Sequence, residues 1–415
     1  MVPQRLTIIG AGQAGLQAAA SARQEGFDGE IHLIGSEPVL PYQRPPLSKA
    51  YLKGDLGIDR LELKPSSFFD QAEITVSLSR RIVAIDRDKK TVRADNGEAQ
   101  PYDRLIIATG APPRRLRCKG ADADGVFYLR TLHDSDRLRS ILSVDGTIVV
   151  VGAGYIGLEV AAVAKSAGRD VVVIELADRP LKRVAGPAVS QYFEDLHRKN
   201  GVTLRVNTGL EAIETRDGKA VAAVLDTGER IPCAAVLVGI GAEPDQGIAQ
   251  EAGLDCDNGV VVDETARTSD PTIFAAGDVA NFPSPFYGRR LRLESVPNAI
   301  EQGKAAGINA VRSFGDKEPT PYDALPWFWS DQYDVKLQTA GARPSNDTPG
   351  LSELTRRGKL EGSLSVWAFE DDRLQSVDAI NDPAAFLVGK KLITARKQID
   401  KSALSDPSVD LKSLL

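Results

Sequence analysis

The sequence reads Gly10-Ala11-Gly12-Gln13-Ala14-Gly15 near its start and Gly152-Ala153-Gly154-Tyr155-Ile156-Gly157 in its middle, two copies of the pattern GxGxxG. Each copy follows a short aliphatic run and opens an alanine-rich stretch. In this strand-turn-helix context the first glycine makes a tight turn, the second lets the backbone approach a pyrophosphate, and the third allows close helix-strand packing. The start of the helix also offers free N–H groups to phosphate. The two copies therefore predict two bound dinucleotides.

Length and composition limit the class of protein. The chain has 415 residues, 42% of them hydrophobic and 26% charged, as expected for a soluble globular protein of two to four domains. No run approaches the roughly 18 apolar residues that cross a bilayer. Residues 1–5 lead straight into the first predicted strand, which leaves no room for a signal peptide. We therefore expect a cytoplasmic protein that binds no membrane.

Charge and cysteine content exclude further classes. The net charge of −6 gives no sign of nucleic-acid binding. Cys118, Cys233 and Cys256 are far apart in the sequence and form no ligand cluster, so we expect neither a disulfide framework nor a metal site. We interpret all three cysteines as chemically inert.

The pattern of predicted elements indicates an α/β fold with three parts. Residues 1 to about 110 read as strand, helix and strand, then a proline-rich loop over 38–49 and a strand that ends at Thr109-Gly110. The second part is predicted to contain strands at 147–151, 170–175 and 235–241 and helices at 155–167 and 187–200. Residues 271–278 are expected to return to the first part, which makes that part discontinuous. After about residue 320, hairpin-like alternation over 363–369 and a helix at 383–400 predict a third, α+β domain.

Acidic residues after the second strand of each unit are candidates to bind ribose hydroxyls. Glu175 stands in that position in the second unit, where a carboxylate repels a 2′-phosphate and so favours NADH over NADPH. Arg183 follows it, with Arg179 and Lys182, and an arginine there can accommodate that phosphate. In the first unit the aligned residue is Gly35, and Glu37 is either a ribose ligand or a solvated loop carboxylate. Asp278 is either a ligand of a hydroxyl group or a helix N-cap.

Several motifs together carry a family resemblance. They are the two glycine patterns, Arg44-Pro45-Pro46-Leu47-Ser48-Lys49, Ala108-Thr109-Gly110, Leu158-Glu159 after the second pattern, and Ala275-Ala276-Gly277-Asp278. This set resembles the FAD-dependent pyridine-nucleotide oxidoreductases. With residues 294–299 and 326–333 the chain is similar, over nearly its whole length, to the NADH-dependent ferredoxin reductases of the putidaredoxin and rhodocoxin reductase type.

The resemblance implies a glutathione reductase-like architecture with two Rossmann-like dinucleotide-binding domains and a C-terminal α+β domain. An FAD-binding domain would comprise residues 1–112 and 243–320. An NADH-binding domain would comprise residues 113–242, and an interface domain residues 321–415.

The resemblance also implies roles for individual residues. Lys49 and Glu159 are expected to form an ion pair beside the flavin as the catalytic residues, where a cation stabilises the anionic reduced ring. Val296 is expected to present its backbone N–H to the flavin pyrimidine edge, and Trp327 to lie near the isoalloxazine. The expected FAD contacts are Gly10, Gly12, Ala14, Gly15, Glu37, Arg44, Lys49, Val83, Thr109, Gly110, Arg130, Asp278, Val296 and Trp327. The expected NADH contacts are Gly152, Gly154, Tyr155, Ile156, Gly157, Glu159, Glu175, Arg183 and Gly241.

A missing residue type suggests how electrons leave. Related flavoenzymes that reduce disulfides carry redox cysteines in the region that corresponds to residues 40–52, and this chain has none there. Electrons are therefore expected to leave directly from the flavin. The resemblance implies a [2Fe-2S] ferredoxin as acceptor, serving a cytochrome P450 or another oxygenase.

Two alternatives on the same scaffold stay open: an NADH oxidase or a quinone- or dehydroascorbate-type reductase, and a flavin-binding interaction protein of the apoptosis-inducing-factor kind. The resemblance further implies a monomer or a weak dimer. Two basic clusters are either docking sites for an acidic ferredoxin or ordinary solvated charge. The clusters are Arg289, Arg290 and Arg292, and Lys390, Lys391, Arg396, Lys397 and Lys401.

Overall fold

The structure is a computed structural model that describes residues 4–415. The chain divides into two compact units. The first consists of the residues up to Gln43, Ile58–Pro112 and Ala242–Pro326, and the second of Arg44–Gly57, Pro113–Gly241 and Trp327–Leu415. Each unit is therefore assembled from separate stretches of sequence.

The strands and helices are numbered in chain order. The strands are β1 (Arg5–Ile9), β2 (Glu30–Ile34), β3 (Ile74–Ser77), β4 (Ile82–Asp86), β5 (Thr91–Ala94), β6 (Ala99–Pro101), β7 (Arg104–Ile107), β8 (Val126–Phe127), β9 (Thr147–Val151), β10 (Asp170–Ile174), β11 (Thr203–Arg205), β12 (Leu210–Arg216), β13 (Lys219–Leu225), β14 (Arg230–Pro232), β15 (Ala235–Val238), β16 (Val260–Val261), β17 (Ile273–Ala275), β18 (Ala280–Ser284), β19 (Arg289–Leu291), β20 (Trp327–Gln332), β21 (Val335–Gly341), β22 (Leu351–Arg357), β23 (Leu364–Glu370) and β24 (Arg373–Ile380). The α-helices are α1 (Gln13–Gln24), α2 (Ala50–Lys53), α3 (Ser66–Gln71), α4 (Leu132–Arg139), α5 (Tyr155–Ser166), α6 (Pro187–Lys199), α7 (Gly247–Glu251), α8 (Val296–Arg312), α9 (Pro383–Ala395) and α10 (Lys401–Ser405).

The first unit is built on a parallel sheet of order β17-β7-β1-β2-β3. The pairing of β17 with β7 confirms the predicted return of the chain to this sheet. Helix α1 packs closely on α8, because Gly303 and Gly307 of α8 lie where a Cβ would overlap the carbonyl oxygens of Ala14 and Ala18. Two three-stranded sheets, β4-β5-β6 and β16-β18-β19, complete the unit.

The second unit contains a parallel sheet of order β11-β10-β9-β15-β8. It confirms the predicted strands and helices in this part of the sequence, although β15 ends at Val238 rather than at residue 241. A small sheet, β12-β13-β14, is also present. The last strands form an antiparallel sheet of order β20-β21-β24-β23-β22. Helix α9 packs on this sheet so closely that a Cβ at Gly389 would overlap the Val377 side chain.

The proline-rich segment is arranged as predicted, whereas the helix near the C-terminus is shorter than predicted. The proline-rich loop leads, as expected, into a short 3₁₀ turn, Pro45–Ser48, and then α2. The helix predicted at 383–400 ends earlier, at Ala395, because Arg396 adopts the left-handed conformation with φ of 50° that terminates a helix. Among the residues that the structure describes, no helix is both long enough and apolar enough to cross a membrane.

Candidate dinucleotide and electron-transfer site

The first glycine pattern forms an open turn at the carboxyl end of β1. Gly10 has a φ of 108°, and a Cβ there would overlap the carbonyl oxygen of Ala108. A Cβ at Gly15 would overlap the carbonyl oxygen of Gly10, whereas, its chain neighbours aside, no atom of residues 4–415 lies within 4 Å of the Cβ position at Gly12. Helix α1 then begins without a side-chain cap and without an acidic residue in its first turn. Its backbone N–H groups therefore suit a phosphate.

The second pattern repeats this geometry in the other parallel sheet. Gly152 has a φ of 97°, and its Cβ position is 2.6 Å from the carbonyl oxygen of Gly239. A Cβ at Gly157 would overlap the carbonyl oxygen of Gly152, and the nearest atom to the Cβ position of Gly154 is 3.7 Å away. Helix α5 also begins without a side-chain cap or an acid in its first turn. Each unit therefore has one site of the expected shape.

A cleft of about 320 Å³ adjoins the first turn. It is lined by Gly10, Val83 and Thr109 from the sequence prediction, and also by residues that the prediction missed. They include Ser36, Arg80, Arg81 and Asp245, and the other missed residues are apolar apart from Glu251. A guanidinium group, a hydroxyl group and an open backbone turn are the donors that a phosphate and a sugar require. The residues present therefore fit an FAD nucleotide.

Three of the missed residues lie where a general rule for parallel sheets expects ligand contacts. Ser36 follows β2, and Arg80 and Arg81 follow β3, so they stand just beyond the carboxyl ends of neighbouring parallel strands. Ligands of such sheets bind at that edge, and this rule could have indicated them. Asp245 comes from far along the chain, and its backbone carbonyl accepts a hydrogen bond of 2.8 Å from Thr109 Oγ1.

The remaining first-unit candidates have defined surroundings. The Glu37 carboxylate accepts a 2.6 Å hydrogen bond from the Tyr42 hydroxyl. Asp278 lies half-buried in the 3₁₀ turn Gly277–Val279, and Val296 is the first residue of α8. Buried Gln302 accepts a bond from the Gly277 N–H, while its Nε2 has no partner among residues 4–415. A bound dinucleotide or a water molecule would supply the acceptor that this donor requires.

The structure contains the predicted ion pair between Lys49 and Glu159. Lys49 Nζ lies 2.6 Å from Glu159 Oε2, and the carboxylate side chain is 4% exposed. Ser48 Oγ donates to Glu159 Oε2 at 2.5 Å, and Ser330 Oγ donates to Glu159 Oε1 at 2.7 Å. Burial of a carboxylate is tolerated only with such partners. Neither serine was predicted from the sequence as a site residue.

Glu175 holds the second glycine turn. Its carboxylate accepts hydrogen bonds from the backbone N–H groups of Ala153, at 2.7 Å, and Ala177, at 2.8 Å. The arginine and lysine neighbours divide into two groups. Arg179 donates to the Ala185 carbonyl, and Lys182 pairs with Asp178 at 3.1 Å. The guanidinium group of exposed Arg183 lies beside Gly241, next to the end of β15.

Aromatic and cationic side chains follow the two faces of β20. Trp327 contacts Trp329, with ring centroids 5.5 Å apart, and Lys390 Nζ lies 5.6 Å from the Trp327 ring centroid. Alternate residues of a strand face opposite sides, and Phe328 on the other face contacts the Tyr155 ring, with the centroids 4.6 Å apart.

The predicted FAD residues Arg44 and Arg130 lie together, because the Arg44 guanidinium donates to the Arg130 carbonyl at 2.6 Å.

Two acidic groups, the Tyr155 phenol and the Asp378 carboxyl, have raised pKa values. Burial, with the nearby charges of Asp378 and Glu159, raises the pKa of Tyr155 far above its ordinary value. Burial raises the pKa of Asp378 to about 6, although a hydrogen bond of 2.6 Å from Thr339 Oγ1 opposes the shift. The first residue of α5 is therefore neutral throughout the physiological range.

Comparison with known proteins agrees with this geometry. The family model described as pyridine nucleotide-disulphide oxidoreductase matches residues 4–303, and the one described as reductase C-terminal matches residues 327–415. Rhodocoxin reductase of Rhodococcus erythropolis is 41% identical over 98% of this chain and 93% of its own length. The crystal structure of the covalent putidaredoxin reductase–putidaredoxin complex matches with a TM-score of 0.93 and 39% identity, over 99% of this chain and 98% of that chain.

A third relative has the same extent of similarity. The ferredoxin reductase for the CYP199A2 system from Rhodopseudomonas palustris matches with a TM-score of 0.93 and 39% identity, over 99% of both chains. The family model covers well over half of the chain. With two glycine turns at the ends of two parallel sheets and these full-length relatives, the chain belongs to the pyridine nucleotide-disulphide oxidoreductase family.

Proposed function

We propose that this protein is an FAD-containing NADH:ferredoxin reductase that takes hydride from NADH and delivers single electrons to a [2Fe-2S] ferredoxin. FAD, when bound, supplies the conversion of a two-electron donor into one-electron transfers. The observation that carries the proposal is the ion pair of half-buried Lys49 with buried Glu159, where Lys49 belongs to a segment, residues 40–52, that contains no cysteine. A lysine there provides charge but no thiol relay, so the acceptor must be external.

The protein's own groups bind, orient and shield the reactants. The open faces of Gly12 and Gly154 and the uncapped starts of α1 and α5 suit the two pyrophosphates. Lys49, paired with Glu159, would place a cation beside a bound flavin, where it would stabilise the negative charge of the reduced ring. The burial of Glu159 keeps this charge pair away from solvent screening.

Glu175 is proposed to select NADH. Its carboxylate has lone pairs beyond those used by Ala153 and Ala177, and these can accept bonds from ribose hydroxyls. Arg179 and Lys182 bind groups of the protein itself. Arg183 is therefore the residue best placed to interact with a 2′-phosphate and so to reduce the preference for NADH over NADPH.

The partner is proposed to be an acidic [2Fe-2S] ferredoxin that serves a cytochrome P450 or another oxygenase. The names of the full-length relatives support this, since one was solved joined to putidaredoxin and another belongs to a CYP199A2 system. We further propose a monomer or weak dimer acting in the cytoplasm, where NADH is supplied. The proposed functional domains remain 1–112 with 243–320 for FAD, 113–242 for NADH and 321–415 for the interface.

The test combines cofactor and acceptor measurements. Anaerobic titration of the purified flavoprotein with NADH and with NADPH should bleach the flavin absorbance, with NADH effective at lower concentration. Cytochrome c reduction should then require an added [2Fe-2S] ferredoxin, with a mononuclear-iron rubredoxin as the control acceptor. Reoxidation by oxygen or a quinone that is faster than by every ferredoxin tested would instead identify an oxidase or a quinone reductase.

A further inference from the structure

A series of buried hydrogen bonds leads from Glu159 into the core of the second unit. Glu159 Oε1 accepts from Ser330 Oγ at 2.7 Å, and Ser330 Oγ accepts from Gln332 Nε2 at 3.3 Å. Gln332 Oε1 lies 2.8 Å from His197 Nε2. The exposed fractions of Ser330, Gln332 and His197 are 0%, 1% and 0%. Ser330 and Gln332 are two apart on β20, so they share one face of the strand.

The chemistry of each group fixes the direction of the series. An ionised carboxylate only accepts, so the single proton of Ser330 Oγ must point to Glu159. The serine oxygen then accepts from the Gln332 amide nitrogen, and the amide oxygen is left to face His197. His197 must therefore carry its proton on Nε2.

The other ring nitrogen of His197 agrees with this assignment. Nδ1 is buried and has no hydrogen-bond partner among residues 4–415. Burial lowers the pKa of His197, which favours the neutral ring. A second proton on Nδ1 would be an unpaired buried donor on a charged ring, which is far more costly than an unpaired lone pair.

We propose that Ser330, Gln332 and His197 are positioning residues that act through Glu159. Each of the three donates a hydrogen bond in the direction of Glu159, and together these bonds keep the Glu159 carboxylate ionised and turned toward Lys49. The proposal rests on the proposed function, because the ion pair acts there beside the flavin. The titratable groups that face the series are Lys49, from the 44–57 segment, Tyr155 from α5, and Tyr333 after β20. The Tyr333 ring lies 5.2 Å from the His197 ring.

The same sheet offers a matched control. Ser376 on β24 is also a buried serine, 1% exposed, but its hydroxyl has no hydrogen-bond partner among residues 4–415. Ser376→Ala therefore removes a buried hydroxyl without touching the series. Ser330→Thr keeps a hydroxyl at the other position and serves as the conservative rescue of Ser330→Ala.

The first measurement concerns the histidine and does not require turnover. Nitrogen-15 NMR of the FAD-loaded protein, in a His32→Gln, His133→Gln background that leaves one histidine, should show a neutral ring protonated at Nε2. The ring should not titrate near the ordinary value of ~6.5. Gln332→Glu should make the ring cationic, because a carboxylate accepts from a charged imidazole. A wild-type ring that is protonated at Nδ1 or is already charged would overturn the proposal.

The second measurement concerns Glu159 itself. The rate constant of flavin reduction and the Kd for NADH are both obtained by stopped flow. Ser330→Ala should lower the rate constant about tenfold, the value of a lost hydrogen bond to a charge, and leave the Kd for NADH unchanged. Ser376→Ala and Ser330→Thr should change neither quantity. An unchanged rate constant in Ser330→Ala contradicts the proposal.

The two measurements separate the possible failures. If NADH does not reduce the wild-type flavin, the proposed function is wrong, and the NMR result alone then decides whether the series of donors exists. If NADH reduces the flavin but the ring of His197 carries its proton on Nδ1, the function stands and the positioning role is wrong.

Discussion

The Glu175 carboxylate accepts a 2.7 Å hydrogen bond from the backbone N–H of Ala153, so one side chain joins the end of β10 to the second glycine turn. The residue expected to contact the ribose therefore also fixes the loop that receives the pyrophosphate. In the proposed function, selection of the cofactor and the shape of the second glycine turn would therefore depend on the same carboxylate.

Glu175→Ala should reduce the preference for NADH over NADPH. Loss of the carboxylate removes a hydrogen-bond acceptor for the ribose and also the repulsion of a 2′-phosphate. The ratio of kcat/KM for NADH to kcat/KM for NADPH should therefore fall about tenfold, the effect of one hydrogen bond to a charge. Steady-state ferricyanide reduction with each cofactor measures the ratio. Glu211→Ala, an exposed acid on β12, is the control. An unchanged ratio in Glu175→Ala would show that another residue selects the cofactor.

Substitutions at the first glycine pattern should separate binding from folding. At Gly12 a Cβ meets no described atom within 4 Å beyond its chain neighbours, whereas at Gly15 it overlaps the Gly10 carbonyl oxygen. Gly12→Ala should therefore fold normally but retain much less FAD, because the methyl group occupies the approach to the phosphate. Gly15→Ala should lower the thermal midpoint of the apoprotein. At Gly315 a Cβ would likewise meet only its chain neighbours within the part of the chain that the structure describes, so Gly315→Ala should change neither property. Full FAD retention by Gly12→Ala would contradict the assignment.

Asp378→Asn should stabilise the protein at alkaline pH. Burial raises the pKa of Asp378 to about 6, above its ordinary value of 3.8, so the folded state binds a proton more tightly than the unfolded state does. Wild-type stability should therefore fall as the pH rises from about 4 to about 6 and then stay level, a loss of up to about 3 kcal/mol from this group.

Unfolding midpoints at acidic and alkaline pH measure that effect. Asp378→Asn should raise the midpoint at pH values above 6 and bring little gain near pH 4, where the wild-type carboxyl is already neutral. Exposed Asp347→Asn is the matched control. Equal effects of Asp378→Asn at both pH values would mean that its charge is not the cause.

Lys391→Glu should slow the reduction of an acidic ferredoxin. Lys391 is exposed on α9, whereas Lys390 lies over Trp327 and Lys397 donates to the carbonyl oxygens of Leu414 and Leu415. The association rate should fall several-fold at low ionic strength, and the difference should vanish at high salt, where charges are screened. Lys199→Glu, at the exposed end of α6, should have a smaller effect. A parallel loss of ferricyanide reduction would exclude a docking role for Lys391.

The cluster of Arg289, Arg290 and Arg292 also makes contacts within the protein. Arg290 donates to the Val262 carbonyl, and Arg292 pairs with Glu294 at 2.7 Å. The α9 cluster has a comparable pair between Lys401 and Asp372 at 3.0 Å. The two clusters therefore stay equal candidates for docking, and Lys391→Glu tests one of them.

Local sequence signals predicted most of the fold. The glycine turns, β9, β10, α5 and α6 follow from short-range patterns of aliphatic residues and glycine, which act within a few residues. The end of α9 was placed too late, because the left-handed conformation of Arg396 leaves no signature in its residue type. The residue most favoured there, glycine, is absent.

The candidate site was predictable only in part. Lys49 and Glu159 came from the resemblance, and their contact is present. Ser330 is 171 residues from Glu159 in the sequence, and no local sequence pattern near either residue indicates their hydrogen bond. Tyr42 is only five residues from Glu37, but its residue type alone does not indicate that its hydroxyl binds this carboxylate and so changes what the carboxylate can offer to a ribose.

The odd-numbered and even-numbered residues of β20 lie on opposite faces of the strand and make different contacts. Trp327 and Trp329 contact each other on one face, while Phe328, Ser330 and Gln332 contact α5 and α6 from the other. A one-residue insertion would exchange the two faces and destroy both sets of contacts. A substitution keeps the strand in register, so a change at Trp327 or Trp329 alters one face only and leaves the Ser330 contact with Glu159 in place. The environment of Glu159 is therefore protected from substitutions on the tryptophan face but not from insertions or deletions.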